Sequence, residues 1–228
     1  MSFIIYEGKI TIKEPDGKIS EYENFIVTKN PDGSRTMRTL TRSPKGDLLR
    51  DVNQREDKNW RPLEAVGRLY FKNELKGTVL RKIDKEILHS WIWHPDGGID
   101  YKTFDAPKNL SVGFHPIFHE AWKMNFLSTD HNKKQSIVTH TVSNTWNGST
   151  IDHGVKLESF ARFDGSEEIS VAAGEFNCKR YTWYTPFGKE LIIWCHGEDN
   201  IFVKELVYKG GKAGTVYELC SLVTKIID

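Results

Sequence analysis

The sequence predicts an all-β fold, a strongly curved antiparallel sheet or open barrel with one short helix over its mouth. Turn motifs recur at residues 15–17, 31–33, 44–46 and 95–97, where Pro sets φ at the first corner and Gly supplies the positive φ that follows. Between these turns polar and apolar residues alternate with period two, which is typical of strands with one buried face. Aromatic residues make up 12% of the chain, which suits a body with an apolar pocket.

Each strand is assigned from the alternation between two turns. Further turn motifs at residues 147–148, 164–165, 187–188 and 210–211 divide the second half of the chain in the same way. The predicted strands lie near residues 3–13, 22–30, 34–42, 47–55, 64–73, 77–83, 86–94, 136–146, 155–164, 167–172, 176–185, 189–196, 201–208 and 215–223.

Residues 104–134 lack this alternation, and they contain the predicted helix. Apolar residues fall there on a helical stripe formed by Ile117, Phe118, Ala121, Trp122 and Phe126. Pro116 suits a helix start, because its missing N–H costs nothing in the first turn. We expect a helix at about 116–127 packed on one continuous curved sheet. Since no polar, low-complexity linker divides the chain, residues 1–228 are expected to form a single β-barrel-like domain.

Charge and cysteine content exclude several classes of protein. With 32 Lys and Arg against 31 Asp and Glu, the net charge is +1, so we expect neither nucleic acid nor a membrane as a partner. The longest apolar run, Leu191–Cys195, is far too short to span a bilayer. Three cysteines without CxxC spacing argue against a disulfide framework or a structural zinc site. The first residues show no secretory signal pattern, so the expected location is cytoplasmic.

One motif resembles a known group of proteins. Residues Val171 to Phe176 read V-x-A-G-x-F, and strands at Leu191–His196 and Ile201–Tyr208 follow. This arrangement resembles bacterial families of unassigned function that are related in fold to the periplasmic lipoprotein carriers and other lipocalin-like half-barrels. The resemblance covers the carboxy-terminal part of the chain. It implies a lipocalin-like curved sheet wrapped around a helix, with an apolar concavity, and it brings no catalytic motif.

The first candidate site is the segment Phe114–Trp122. On a helix His115 and His119 would share one edge, with Glu120 beside them. Imidazole and carboxylate groups together can form an acid–base pair near neutral pH. The same histidine spacing can bind zinc when a third ligand comes from elsewhere, although HExxH is absent and we assign no metal. A structural helix cap with surface histidines is the alternative.

The second candidate site is the strand Ile87–His94. His89, Trp91 and Trp93 share one face, which offers flat surfaces and one titratable group and so suits a pocket wall. Tyr101 and Asp105 lie just beyond and are expected to line the same mouth. Trp122 would also shape the cavity. The alternative is a half-buried strand whose Trp pair packs under the helix.

Two further features, an adjacent Cys-His pair and charged residues within strands, are weaker indications of a functional site. Cys195 and His196 are adjacent, so on a strand they face opposite ways and cannot form a nucleophile pair. A few charged residues fall inside predicted strands. Any that turned inward would need a carboxylate or a polar ligand group as partner, although most should be solvated. These residues are Arg38, Arg180, Lys204 and Glu205.

The leading functional hypothesis is a cofactor-independent enzyme that acts on a hydrophobic, aromatic or isoprenoid-like small molecule. The chain contains no P-loop, GxGxxG or GxSxG motif, so we expect acid–base chemistry by an isomerase, cyclase or hydro-lyase. His115 and His119 would be acid and base, and Glu120 would orient one of them. The alternatives are a non-catalytic carrier or sensor of an apolar ligand, and an interaction protein whose filled core has no cavity of about 300 Å³. Exposed sheet edges are compatible with a homodimer.

Overall fold

The structure is a computed structural model, and it describes residues 2–130, 133–142 and 151–228. Strands dominate these residues, as the sequence predicts. In chain order they are β1 (Phe3–Lys13), β2 (Ile19–Lys29), β3 (Arg35–Arg42), β4 (Leu48–Glu56), β5 (Pro62–Phe71), β6 (Glu74–Asp84), β7 (Ile87–Trp93), β8 (Ile99–Asp105), β9 (Leu110–Gly113), β10 (Gln135–Thr141), β11 (Lys156–Val171), β12 (Gly174–Tyr184), β13 (Lys189–His196), β14 (Ile201–Lys209) and β15 (Lys212–Ile227).

All of these strands belong to one curled, unclosed sheet. Its order is β8-β7-β6-β5-β4-β3-β2-β1-β15-β14-β13-β12-β11-β10-β9, so the first and last strands are neighbours at its centre. Successive strands pair antiparallel, and β9 runs parallel to β10. The curl brings β9 at one edge against β5. The predicted fold class, a strongly curved antiparallel sheet, is confirmed.

The strand assignments differ from the structure at the Asp164-Gly165 turn, at β8 and at β9. The predicted turn at Asp164-Gly165 is a bulge, and β11 runs through it because Gly165, at φ 125°, bends the strand without ending its pairing with β12. β8 lacked an alternation signal because nearly every residue in it is exposed, and the four residues of β9 are all buried. The predicted Asn147-Gly148 turn and the end of the strand at 136–146 lie outside the described residues.

The predicted helix is confirmed but is shorter than expected. It comprises α1 (Phe118–Lys123) and a 3₁₀ turn at Met124–Phe126. It begins where the carboxylate of Glu23 on β2 accepts hydrogen bonds from the backbone N–H groups of Ile117 and Phe118, both at 2.9 Å. Because such a short helix has little stability of its own, packing holds it in place.

Packing places α1 inside the curl. The Phe118 ring lies 4.4 Å from that of Phe25 on β2, and Ala121 and Trp122 are fully buried in the larger core cluster. The helix also packs against β13 and β14. Among the described residues, no helix is long and apolar enough to cross a membrane.

Candidate functional site

A cavity of about 380 Å³ lies between α1 and the inner face of the sheet. Strands β1, β2 and β4 supply one side, and β9 to β15 supply the other. Its mouth is formed by exposed residues such as Val155 and Phe187, and its floor by buried or half-buried ones. We use the term floor for these buried or half-buried lining residues: Gly113, His115, Glu120, Lys123, Thr139, Ser159, Trp183, Leu191 and Glu205. A cavity of this size argues against an interaction protein with a filled core.

An ion pair from α1 lies at the floor. Lys123 is only 4% exposed, and its Nζ donates to both carboxylate oxygens of Glu120, at 3.0 and 2.8 Å. The same ammonium lies 4.7 Å from the centroid of the Trp183 ring, a cation–π contact. The indole N–H of Trp183 donates to Ser159 Oγ at 2.8 Å. Glu120, which the sequence analysis assigned to orient a histidine, therefore binds a lysine instead.

Glu205 is the second carboxyl group at the floor. It lies on β14, paired with Ile193 of β13 and Tyr217 of β15, and it is 3% exposed. Its Oε2 atom is buried and has no hydrogen-bond partner among the described residues. Burial raises the pKa of Glu205 well above its usual value, and the negative charge of Glu120 adds to this, while Lys123 and Lys189 oppose it. Burial therefore favours the protonated, uncharged form of this carboxyl group.

His115 reaches the cavity from a strained backbone. Its φ of 59° lies in the left-handed region, which non-glycine residues seldom adopt, and it directly precedes Pro116. Its Nε2 atom is buried without a partner in the described part of the chain. Burial lowers the pKa of His115 to about 3, helped by the positive charges of Arg50 and Lys123. The imidazole is thus neutral at physiological pH and a weak base.

His119 does not line the cavity, although it is one helical turn from His115 in sequence. It is fully buried on the other side of α1, with Nε2 at 2.7 Å from Gln54 Nε2 and 3.2 Å from Glu56 Oε1. Burial lowers the pKa of His119 well below its usual value and raises that of Glu56 to about 8. The expected shared helical edge does not form, because His115 precedes α1 and has left-handed backbone geometry.

The predicted substrate-binding residues of β7 and β8 lie away from this cavity. Leu88, Ser90 and Ile92 are buried, and Leu88 and Ile92 belong to a second core cluster, separate from the one that contains α1. Because alternate residues of a strand face opposite ways, His89, Trp91 and Trp93 point outward. Tyr101 joins them on the outer face, with its hydroxyl 2.7 Å from His89 Nδ1 and its ring 5.2 Å from that of Trp91.

Two other predicted residues are also outside the cavity wall. Asp105 is exposed at the end of the edge strand β8. Trp122 is buried in the core, with its ring 5.6 Å from that of Trp60. Of the sequence candidates, the structure therefore brings His115 and Glu120 together at the cavity and separates the rest from it.

The floor contains residues that the sequence analysis did not place there. The sequence gives a sign that Glu205 is unusual, since it is a charged residue inside the mostly apolar strand Ile201–Val207. The other charged strand residues are outward or paired: Arg38 with Asp51, Arg180 with Glu167 and Lys204 with Glu218. For Lys123 the only sequence signal was its i,i+3 spacing from Glu120, and this spacing is also common on solvent-exposed helices. Cys195 is buried in the core, and His196 faces the other way, as expected.

Comparisons with known proteins bear on the fold alone. No family model matches the chain, and no curated protein matches it. A beta-barrel-like protein of the domain of unknown function DUF1849 from Brucella abortus superimposes with a TM-score of 0.55 at 12% identity, covering 98% of this chain and 97% of that one. A DUF1089 family protein from Pseudomonas aeruginosa gives a TM-score of 0.50 at 13% identity, covering 81% and 88%. The chain thus has a barrel-like fold also found in bacterial proteins of unknown function.

Proposed function

We propose that this chain binds a small, largely apolar molecule in the cavity, with the polar end of that molecule at the floor. The observation that supports this proposal is a cavity of about 380 Å³ whose floor contains buried polar atoms with no hydrogen-bond partner among the described residues. These atoms are Glu205 Oε2, Thr139 Oγ1 and His115 Nε2. A buried polar atom without a partner costs about 1–3 kcal/mol, so a ligand that bonds to them would relieve that cost.

The walls suit the apolar part of such a ligand. Ile12, Leu157 and Leu191 supply aliphatic surface, and Trp183 supplies an aromatic face that its hydrogen bond to Ser159 holds in place. Cavities that bind small molecules are mostly apolar, with a few polar groups that fix orientation. The barrel-like fold shared with bacterial proteins of unknown function is compatible with ligand binding.

A cavity-filling substitution tests the proposal. Leu157 lines the cavity from β11, whereas Phe160 on the same strand is half exposed and faces outward. We expect the uncharged dye N-phenyl-1-naphthylamine to bind the wild type and Phe160→Trp with one saturable site, measured by fluorescence. Leu157→Trp should bind it at least about tenfold more weakly, because the indole fills the space. Equal dye binding by a folded Leu157→Trp variant would refute the proposal.

Acid–base catalysis on the bound molecule is the second candidate function. Glu205 and Glu120 are two carboxyls at one cavity: burial and the charge of Glu120 raise the pKa of Glu205, and Glu120 is paired with Lys123. In many enzymes one carboxyl with a raised pKa serves as the acid beside a second carboxyl that serves as base or nucleophile. Glu205 would then be the general acid of a cofactor-independent isomerase, cyclase or hydro-lyase. His115, with a pKa lowered to about 3, is unsuited to act as the base.

Turnover distinguishes the two functions. The wild type and Glu205→Gln would each be incubated with an extract of hydrophobic metabolites, and the mixtures analysed by liquid chromatography and mass spectrometry. Catalytic conversion of one compound by the wild type alone would establish the enzyme. Stoichiometric retention of an unchanged compound by both proteins would establish the carrier. The cytoplasmic location and the homodimer stay predictions.

A further inference from the structure

We infer that the polar end of the ligand is an uncharged oxygen group, such as a hydroxyl, ketone or ester, rather than a carboxylate or an ammonium. This inference rests on the proposed binding function and names the chemical class of the ligand. It follows from the state of each charged group at the cavity floor and from which polar atoms are left without a partner.

Two of the cations that line the cavity have carboxylate partners. Lys123 donates to both oxygens of Glu120. Arg50 pairs with Glu21 nearer the mouth. A buried ion pair with good geometry offers little to a further ion, because the ion must lose its hydration and gains only a shared partner. The paired groups therefore give neither a carboxylate nor an ammonium a net advantage.

The floor atoms without partners belong to uncharged groups. Thr139 has a hydroxyl, and His115 has a neutral imidazole because its pKa is about 3. Glu205 is 3% exposed and has no ion-pair partner among the described residues, so burial favours the protonated, uncharged form of its carboxyl group. A protonated carboxyl and a hydroxyl can each donate and accept, which matches a ligand oxygen that does the same.

Either charged end would meet an unfavourable environment. A carboxylate would be placed beside Glu120 and Glu205, and its attraction to Lys123 is already shared with Glu120. An ammonium would require Glu205 to release its proton next to Glu120, and Lys123 and Lys189 would repel it. An uncharged oxygen avoids both costs and still satisfies the unpaired atoms.

A chain-matched series of probes tests this inference. Binding of 1-decanol, 2-decanone, decanoate and decylamine would be measured at pH 7 by displacement of N-phenyl-1-naphthylamine, below the concentrations at which they aggregate. We expect decanol and decanone to bind about tenfold or more tightly than the two ions, which is the effect of one buried hydrogen bond against one desolvated charge. Glu205→Gln, an uncharged mimic of the protonated acid, should keep that preference. Glu205→Leu should lose most of it.

The outcomes separate the inference from the proposed function. Dye binding at the cavity with equal affinity for all four probes would overturn the inference and leave the proposed function standing. Tighter binding of decanoate, or of decylamine with release of a proton in calorimetry, would also overturn the inference. Failure of the wild type to bind either dye or probes would overturn both.

Discussion

At the scale of single residues, buried carboxyl groups set the pH response of this protein. Burial raises the pKa of Glu56 to about 8 and that of Glu23 to about 7. In the unfolded chain both groups have a pKa near 4.5. At these two groups the folded state holds protons that the unfolded chain has already released, so their contribution to stability falls as the pH rises from about 4.5 to about 8.

Substitution of Glu56 should reduce that pH dependence. The part due to Glu56 is fully present below pH 4.5 and is lost as the pH rises through about 8. In Glu56→Gln the free energy of unfolding should change less between pH 5 and pH 8 than in the wild type, by on the order of 2 kcal/mol or more. Urea unfolding at several pH values measures this slope.

The matched control is an exposed glutamate. Glu168→Gln lies on the surface of β11 and should leave the slope unchanged. His119 contributes in the opposite sense: its pKa is lowered by burial, so its part is lost as the pH falls below 6.5. An unchanged slope in Glu56→Gln above pH 6.5, where His119 contributes little, would contradict the assignment.

Gly67 provides a second prediction at this scale. A Cβ at this position of β5 would overlap the ring of Phe114, which directly precedes His115. Gly67→Ala should lower the free energy of unfolding by about 1–3 kcal/mol, the usual effect of overpacking. It should also weaken dye binding, because the strained segment that carries His115 must move. Gly98→Ala meets only ordinary contacts and is the control. Wild-type stability in Gly67→Ala would show that Phe114 can move aside freely.

At the scale of elements, the position of α1 depends on Glu23. The helix supplies Glu120 and Lys123 to the floor, yet it is six residues long and its own hydrogen bonds cannot hold it. Glu23→Ala should destabilise the protein by about 2 kcal/mol, since two buried N–H groups lose their acceptor. Glu23→Gln keeps one acceptor oxygen and should lose less. Urea unfolding gives the stabilities, and dye titration shows whether the floor moves; equal stability of both variants would contradict this role.

The elements also show what the sequence could predict. Turns such as Pro31-Asp32-Gly33 are determined by a few adjacent residues, so the hairpins that they form can be predicted from the sequence. β8 is a nearly fully exposed edge strand and β9 is four buried residues paired with β10, so neither carries a local alternation. On β7 the alternation separates the two faces correctly. It does not show that His89 and Trp91 face outward, because which face is buried depends on the direction in which the whole sheet curls.

At the scale of the whole molecule, the cavity follows from the curl of the sheet. Arg50 on β4 and Thr139 on β10 line the same cavity although many strands separate them in the sheet. The composition indicated a pocket, but its wall depends on which distant strands the curl brings together. Glu205 could be flagged as a charged residue in an apolar strand, whereas its closeness to Glu120 depends on the packing of α1 against β14.

The central pairing of β1 with β15 leads to the last prediction. Phe3 pairs with Ile227, and the Ser2 hydroxyl donates to Asp228 across 226 positions of sequence. A short Gly/Ser linker between the ends would turn this pairing into a hairpin. New ends between Asp96 and Gly97 would fall in an exposed turn and remove only local hydrogen bonds, such as that from Gly97 N–H to the His94 carbonyl. This circular permutant should keep every strand pair.

We therefore expect the permutant to melt within a few degrees of the parent chain and to bind the dye with similar affinity. It should also refold faster, because the long pairing of β1 with β15 becomes local while only the shorter pairing of β7 with β8 becomes distant, and rates rise as contact order falls. Thermal melting, dye titration and stopped-flow refolding measure the three quantities. A permutant opened between Glu205 and Leu206 is the control, and it should fail to fold because β14 is cut in the middle of the sheet. Slower refolding of the first permutant would mean that β1 and β15 pair early in the parent chain despite their separation, so that the curl forms from the centre of the sheet outward.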